Sequence, residues 1–141
     1  MEKHKSYKDQ AEHIYYEWDK ALSENDVDAL VDLYAEDAVI ESPLIFYLLE
    51  KEDGICVGRD QIRNLVKIVA KRKPNLRKYY RTPFLQQGNL IMWEYPRLTP
   101  QGEQMDFIEV MELNNEGLIQ YHRVYWGWKG FQILKQDAYY Q

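Results

Sequence analysis

Four runs in the second half of the chain set the tightest limit on its fold. "LRKYYRTPFLQ", "NLIMWEYPRL", "QMDFIEVMEL" and "LIQYHRVYWGW" are rich in aromatic and branched residues, and turns at "QGN", "TPQGE" and "NNEG" separate them. Such runs pair as a meander and leave one sheet face to be covered. The first half supplies the cover. Ile14, Tyr15, Trp18, Ala21 and Leu22 recur at helical spacing over residues 7–23. Val27, Leu30, Val31 and Tyr34 form the inward stripe of a second helix that Asn25 or Asp26 can cap and that runs to about Tyr34. "AVIESP" is a short extended piece stopped by Pro43, and "LIFYLLEKEDG" after it reads as a loop. A third helix starts near Gly58, buries Ile62, Leu65, Val66 and Val69, and ends before Pro74. Helices first and antiparallel strands after define an α+β pattern.

The 141 residues suit one domain spanning 1–141. A hydrophobic content of 45% is enough to build its core. A net charge of −5 argues against nucleic acid as the main partner. The longest apolar run, "LIFYLL", is far too short to span a membrane, and "MEKHKSYKDQ" lacks the apolar core of a signal peptide. The lone Cys56 excludes an intramolecular disulfide, which fits a reducing, cytoplasmic setting. Arg63, Lys67, Lys71, Arg72, Lys73, Arg77, Lys78 and Arg81 make a basic stretch with Tyr79 and Tyr80 inside it. It reads as a solvated face near a helix C-terminus, with a docking patch for an acidic partner, or steering of an anionic ligand towards the pocket, as the alternative.

One carboxylate falls in an unexpected place. In "MDFIEVMEL", strand alternation puts Met105, Phe107, Glu109, Met111 and Leu113 on one face. Glu109 therefore sits within an apolar row, and a buried carboxylate must be neutral or paired. The next strand offers a partner. His122 shares its face with Leu118, Gln120, Val124 and Trp126, and can meet Glu109 across the ladder. Glu94, on a face with Leu90 and Met92, is the third candidate, with Trp93 and Tyr95 pointing the other way. Two acids and one histidine facing one pocket suit acid–base catalysis, and equally a structural hydrogen-bond network. The same three groups could ligate a metal, but their spacing matches no metal motif, so no metal or cofactor is expected.

Several of these stretches resemble the nuclear transport factor 2-like superfamily, which includes ketosteroid isomerases and SnoaL-like polyketide cyclases. "NDVDALVDLYAEDAVIESP" resembles its second helix and following strand, and "GRDQI" the start of its third helix. "MDFIEVMELNNEGLIQYHRVYW" resembles its last two strands. The resemblance implies an α+β cone: three N-terminal helices packed on a curved, mostly antiparallel sheet, with an internal pocket. It also implies that homodimers are common. Against the ketosteroid isomerases, the general-base aspartate before the proline is replaced by Ser42. The oxyanion-hole tyrosine of the first helix is replaced by Trp18, and the protonated aspartate of the penultimate strand by Glu109. Steroid isomerisation by the usual route is thereby disfavoured. So is epoxide hydrolysis, which wants an arginine inside the pocket, where Arg123 has the wrong parity to point. About seven extra residues between Pro43 and Gly58 fall at the expected pocket mouth.

Two functions follow as expectations. The first is a small enzyme of isomerase, cyclase or dehydratase type, acting on an apolar cyclic or carbonyl-bearing molecule. Glu109, His122 and Glu94 would carry the acid–base work, with Trp18 as oxyanion donor. Tyr15, Tyr34, Ser42, Leu65, Met92, Met105, Phe107 and Trp126 would line the pocket around them. The second is a non-catalytic module that binds a small ligand or a protein, favoured by the missing base at Ser42. A row of Trp93, Tyr95, Tyr121 and Tyr125 on the convex sheet face is expected to make a homodimer.

Overall fold

The computed structural model describes residues 6–72, 82–98 and 102–135. Ser6 opens α1 (Tyr7–Ser23) by accepting the Asp9 N–H at 3.1 Å, and Asp26 opens α2 (Val27–Val31) by accepting from Ala29 at 3.0 Å. The second helix is shorter than its apolar spacing predicts. Tyr34 is not on it but is the first residue of β1 (Tyr34–Glu41). The stretch read as a loop after Pro43 forms α3 (Pro43–Leu49) instead. Ser42 caps it by accepting the Leu44 N–H, and Pro43 stands in the first turn, where no backbone N–H is needed. Glu50, left-handed at φ 55°, ends it.

β2 (Ile55–Val57) leads directly into α4 (Gly58–Arg72). β3 (Leu85–Gln87) and β4 (Leu90–Glu94) form a hairpin, and β5 (Arg97–Leu98) pairs only with β6 (Gln104–Met105). β7 (Phe107–Leu113), β8 (Ile119–Trp126) and α5 (Trp128–Lys135) complete the described chain. The main sheet is curved and runs β2-β1-β8-β7-β4-β3. Among the described residues, only β1 and β8 pair in parallel; the other neighbours of the sheet are antiparallel. The architecture is the expected α+β arrangement, with two short helices added. No helix of the described residues is long and apolar enough to cross a membrane. Of the basic stretch, residues 73–81 lie outside the described residues, and Arg63 pairs with Asp28 of α2.

Register decides which residues the helices cover. Trp93 stands opposite Glu109, and Glu109 opposite Val124. Ile91, Trp93 and Tyr95 therefore share the inward face with Phe107, Glu109 and Met111. Trp93 is 2% exposed and Tyr95 1%. Trp93 meets Tyr15 edge-on at 5.1 Å and Trp18 at 5.7 Å. This reverses the parity expected for β4. Glu94 and Met92 point outward, opposite Ile108 and Val110, and Glu94 is exposed. The reason is area: burying one indole and one phenol outweighs burying Met92 beside a charged Glu94. The expected convex row loses two of its four members, keeping Tyr121 and the exposed Tyr125.

The parity makes a direct test. Trp93→Ala should cost about 3–5 kcal/mol in urea unfolding, as large aromatic truncations in cores do. Glu94→Ala should stay within about 0.5 kcal/mol. Equal effects at the two positions would contradict the register.

Candidate functional site

Glu109 and His122 lie on adjacent antiparallel strands but are not directly opposite. Val124 faces Glu109, and Met111 faces His122. The two residues are diagonal neighbours, a separation that long side chains bridge. Glutamate has the reach: its Oε2 lies 2.7 Å from His122 Nε2. Both residues are buried, at 5% and 3% exposure. The carboxylate on the apolar row is thus a paired one.

The ring's other nitrogen continues the chain. His122 Nδ1 is 2.9 Å from the Tyr34 hydroxyl, and that hydroxyl accepts the Trp18 indole N–H at 3.1 Å. Four residues from α1, β1, β7 and β8 make one buried line. One set of proton directions satisfies every donor in it. Trp18 can only donate. With Tyr34 donating its own proton to Nδ1, the imidazole proton sits on Nε2, pointing at Glu109. This assignment gives every N–H and O–H in the line an acceptor. It leaves Glu109 Oε1 without a hydrogen bond among the described residues. Two N–H groups of Arg59 on α4 hold the Tyr34 backbone carbonyl at 2.9 and 2.7 Å. They fix the residue just where the β1–β8 register shifts. Burial, the main cause, raises the Tyr34 phenol above its ordinary 10.0 and keeps it a proton donor; the Trp18 N–H pulls the other way and the Glu109 carboxylate adds to the rise.

The line forms one side of a cavity of about 130 Å³. Its walls are apolar: Leu22, Val27 and Leu30 from the first two helices, Leu44 from α3, Leu65, Val66 and Val69 from α4, and Phe107, Val124 and Trp126 from the sheet. The exposed Asn25 and Asp26 stand where it meets solvent. Of the residues expected here, Glu109, His122, Trp18, Tyr34, Ser42, Leu65, Phe107 and Trp126 do line it. Four do not. Glu94 and Met92 face outward. Tyr15 is buried elsewhere, its hydroxyl donating to the Thr82 carbonyl at 2.6 Å. Met105 is fully buried in β6, opposite Arg97. The expected set of two acids and one histidine is therefore not assembled, and the indole of Trp18 serves Tyr34 rather than an oxyanion. Arg123 points outward to Glu112 at 3.2 Å, as its parity predicts.

Tyr95 was missed as a lining residue because β4 was read in the opposite parity; its hydroxyl donates to Asp19 at 3.1 Å. The apolar sum of Ile91, Trp93 and Tyr95 against Leu90, Met92 and Glu94 was the signal that could have found it. Tyr34 was legible as a wall residue. Its place in the hydrogen-bonded line was not, because it depended on β1 beginning there.

The fold is that of the nuclear transport factor 2-like superfamily. The family profile of the SnoaL-like domain matches residues 15–122, and the chain belongs to that family. A SnoaL-like protein of unknown function from Burkholderia thailandensis superposes with a TM-score of 0.72 at 16% identity, covering 87% of this chain and 99% of that one. SalBIII, an epoxide hydrolase/cyclase-like enzyme in pyran ring formation in the polyether salinomycin, superposes at 0.65 with 23% identity, covering 86% and 94%. TerC, co-crystallised with polyporic acid, gives 0.72 at 14% identity, covering 90% and 98%. At these identities the likeness is one of fold. No curated protein matches the chain in sequence.

The Tyr34 phenol gives a test of the line. Its raised value stabilises the fold fully below the ordinary 10.0, and that contribution is lost as pH climbs above it towards the folded value. Above pH 10 the wild type should therefore lose up to about 1.4 kcal/mol per pH unit more than Tyr34→Phe, measured by denaturant unfolding. Parallel alkaline profiles would show that the hydroxyl is not held as described.

Proposed function

We propose that this protein takes a small apolar molecule, cyclic or carbonyl-bearing, into the cavity and acts on it by proton transfer through Glu109. The observation that carries this reading is the buried Glu109–His122–Tyr34–Trp18 line set into an otherwise apolar wall. A polar line of that kind is costly to bury and adds no apolar packing, so a chemical role accounts for it better than core filling. Glu109 is the base. Its Oε1 takes a proton from the substrate while the His122 Nε2–H stays on Oε2 and orients the carboxylate. Return of that proton to another substrate atom completes the cycle. One carboxyl that takes and returns a proton needs no oxidant, reductant or co-substrate, which is common to isomerisation, cyclisation and dehydration. SalBIII supports the cyclase end of that range by fold alone. His122 and Tyr34 are positioning residues, and α3 contributes Leu44 to the wall at the site where the inserted segment was expected.

The second reading is a non-catalytic ligand-binding or protein-interaction module. Ser42 favours it, since a helix cap there replaces the acid of the ketosteroid isomerases. One experiment separates the two. Steroids, terpenoids, polyketide fragments and aromatic acids are screened by thermal shift, where a ligand of the folded state raises the transition. Hits are then assayed for turnover. Glu109→Gln should reduce turnover by about a hundredfold or more while the fold survives. Ligands that bind but are never converted would favour the binding module.

We also propose a homodimer through the outward sheet face, rebuilt around its observed register. Leu85, Ile108, Tyr125 and Val57 are its exposed apolar members. Sedimentation should give twice the chain mass for the wild type. Tyr125→Asp should shift the mass towards one chain and leave ligand binding intact. A monomeric wild type at micromolar concentration would refute the dimer.

A further inference from the structure

The hydrogen-bond directions at the inner end of the cavity say more about the ligand than its shape does. In the assignment that satisfies the whole line, three donors lie along it and each has an acceptor: the Trp18 N–H on Tyr34, the Tyr34 O–H on His122, and the His122 Nε2–H on Glu109. The Tyr95 hydroxyl donates to Asp19. The Trp126 indole nitrogen is buried. What the line offers the cavity is an acceptor, Glu109 Oε1. Among the described residues, none lining the cavity is a lysine or arginine, whereas two are acids, Asp26 and Glu109. The side-chain donor left on the sheet wall is the Ser42 hydroxyl. Its oxygen accepts from Leu44, which leaves its proton for a ligand. It follows β1, two strands away from β7 in the sheet, a distance of about 10 Å.

We propose that this is a hydroxyl-selective site: a neutral ligand enters with an alcohol, enol or phenol group that donates to Glu109 Oε1. Carbonyl and carboxylate groups are excluded from that end. A ketone oxygen there would face a carboxylate oxygen with no hydrogen between them. A carboxylate would meet a like charge with no cation to offset its desolvation. A carbonyl on the same ligand is accepted only at the Ser42 end. The inference rests on the cavity being a small-molecule site, and it narrows the substrate to a hydroxyl-bearing one whose O–H proton is the one Glu109 takes.

The reverse arrangement is chemically definite. If Glu109 carried the proton and donated to Nε2, then Nδ1–H would donate to Tyr34, and the Tyr34 O–H would turn into the cavity to greet a carbonyl. Ring-nitrogen NMR of His122, assigned by its loss in His122→Gln, separates the two without any ligand. We expect a protonated Nε2 and a bare Nδ1; a protonated Nδ1 overturns the proposal. Calorimetry with α-tetralol, α-tetralone and the matching tetralin carboxylate then reads the selectivity. The alcohol should bind at least about tenfold tighter than the ketone, the usual scale for a hydrogen bond to a charged group, and the carboxylate weakest of all. In Glu109→Gln the amide oxygen takes the His122 proton and its NH₂ faces the cavity, so the ketone should draw level or pass the alcohol. Ketone binding equal to or tighter than alcohol binding in the wild type would sink the hydroxyl selectivity yet leave a ligand site standing. Failure of all three probes to bind the wild type at millimolar concentration would overturn the ligand-site reading, and this inference with it. Both wild-type measurements stand even if Glu109→Gln fails to fold.

Discussion

A carboxylate in an apolar interior needs a partner, and in this protein much else is arranged to supply one. Taking Glu109 out of water costs several kcal/mol unless the charge is met by a hydrogen-bonded group. His122 meets it at 2.7 Å, and the imidazole in turn needs an acceptor or donor for its second nitrogen. Tyr34 fills that role and is itself held by Trp18 through its side chain and by Arg59 through its backbone carbonyl. Each residue satisfies the next, so removing one leaves a buried polar group unmet elsewhere. That dependence ties α1, α4, β1, β7 and β8 to one small volume.

The line also explains why the cavity wall can be apolar nearly throughout. Polar groups are concentrated along one side, where they satisfy one another. The remaining wall comes from residues whose helical or strand spacing had to bury them in any case. Core and cavity wall are continuous in such a fold, so Leu65 and Val66 of α4 serve the packing of the helix and the shape of the space together. On the proposed reading, the acid–base group has moved away from the residue before Pro43. Ser42 is occupied with capping α3.

The outward face follows from the same register. Once Trp93 and Tyr95 turn inward to pack on Tyr15 and Trp18, what remains outside is a mixed surface. Tyr125 and Ile108 lie beside Glu94 there, and Arg123 pairs with Glu112. That composition is not the all-aromatic row the sequence alone suggested.

Some of this was fixed by the sequence and some was not. Helix stripes such as Ile14–Tyr15–Trp18 and Ile62–Leu65–Val66, and the alternation of β7 and β8, were legible because a period of 3.6 or 2 determines which residues share a face. The same rule put Glu109 in an apolar row of its strand, and put His122 and Arg123 on opposite faces of theirs. The reading failed where periodicity gave two answers. In β4 both parities alternate, and only the space behind the sheet selects Trp93 and Tyr95 over Met92 and Glu94. It failed again where a boundary mattered. Tyr34 fits the apolar stripe of α2, yet the pairing of β1 with β8 claims it for the sheet, and with it the hydroxyl that reaches His122. Pro43 at a helix start and Pro43 as a stop look alike in sequence; Ser42 decided for α3 by capping it. The sequence by itself determined which groups could do chemistry. Tertiary structure decided which of them meet, because a 2.7 Å contact depends on register and strand order, and neither is written in the spacing of one chain segment.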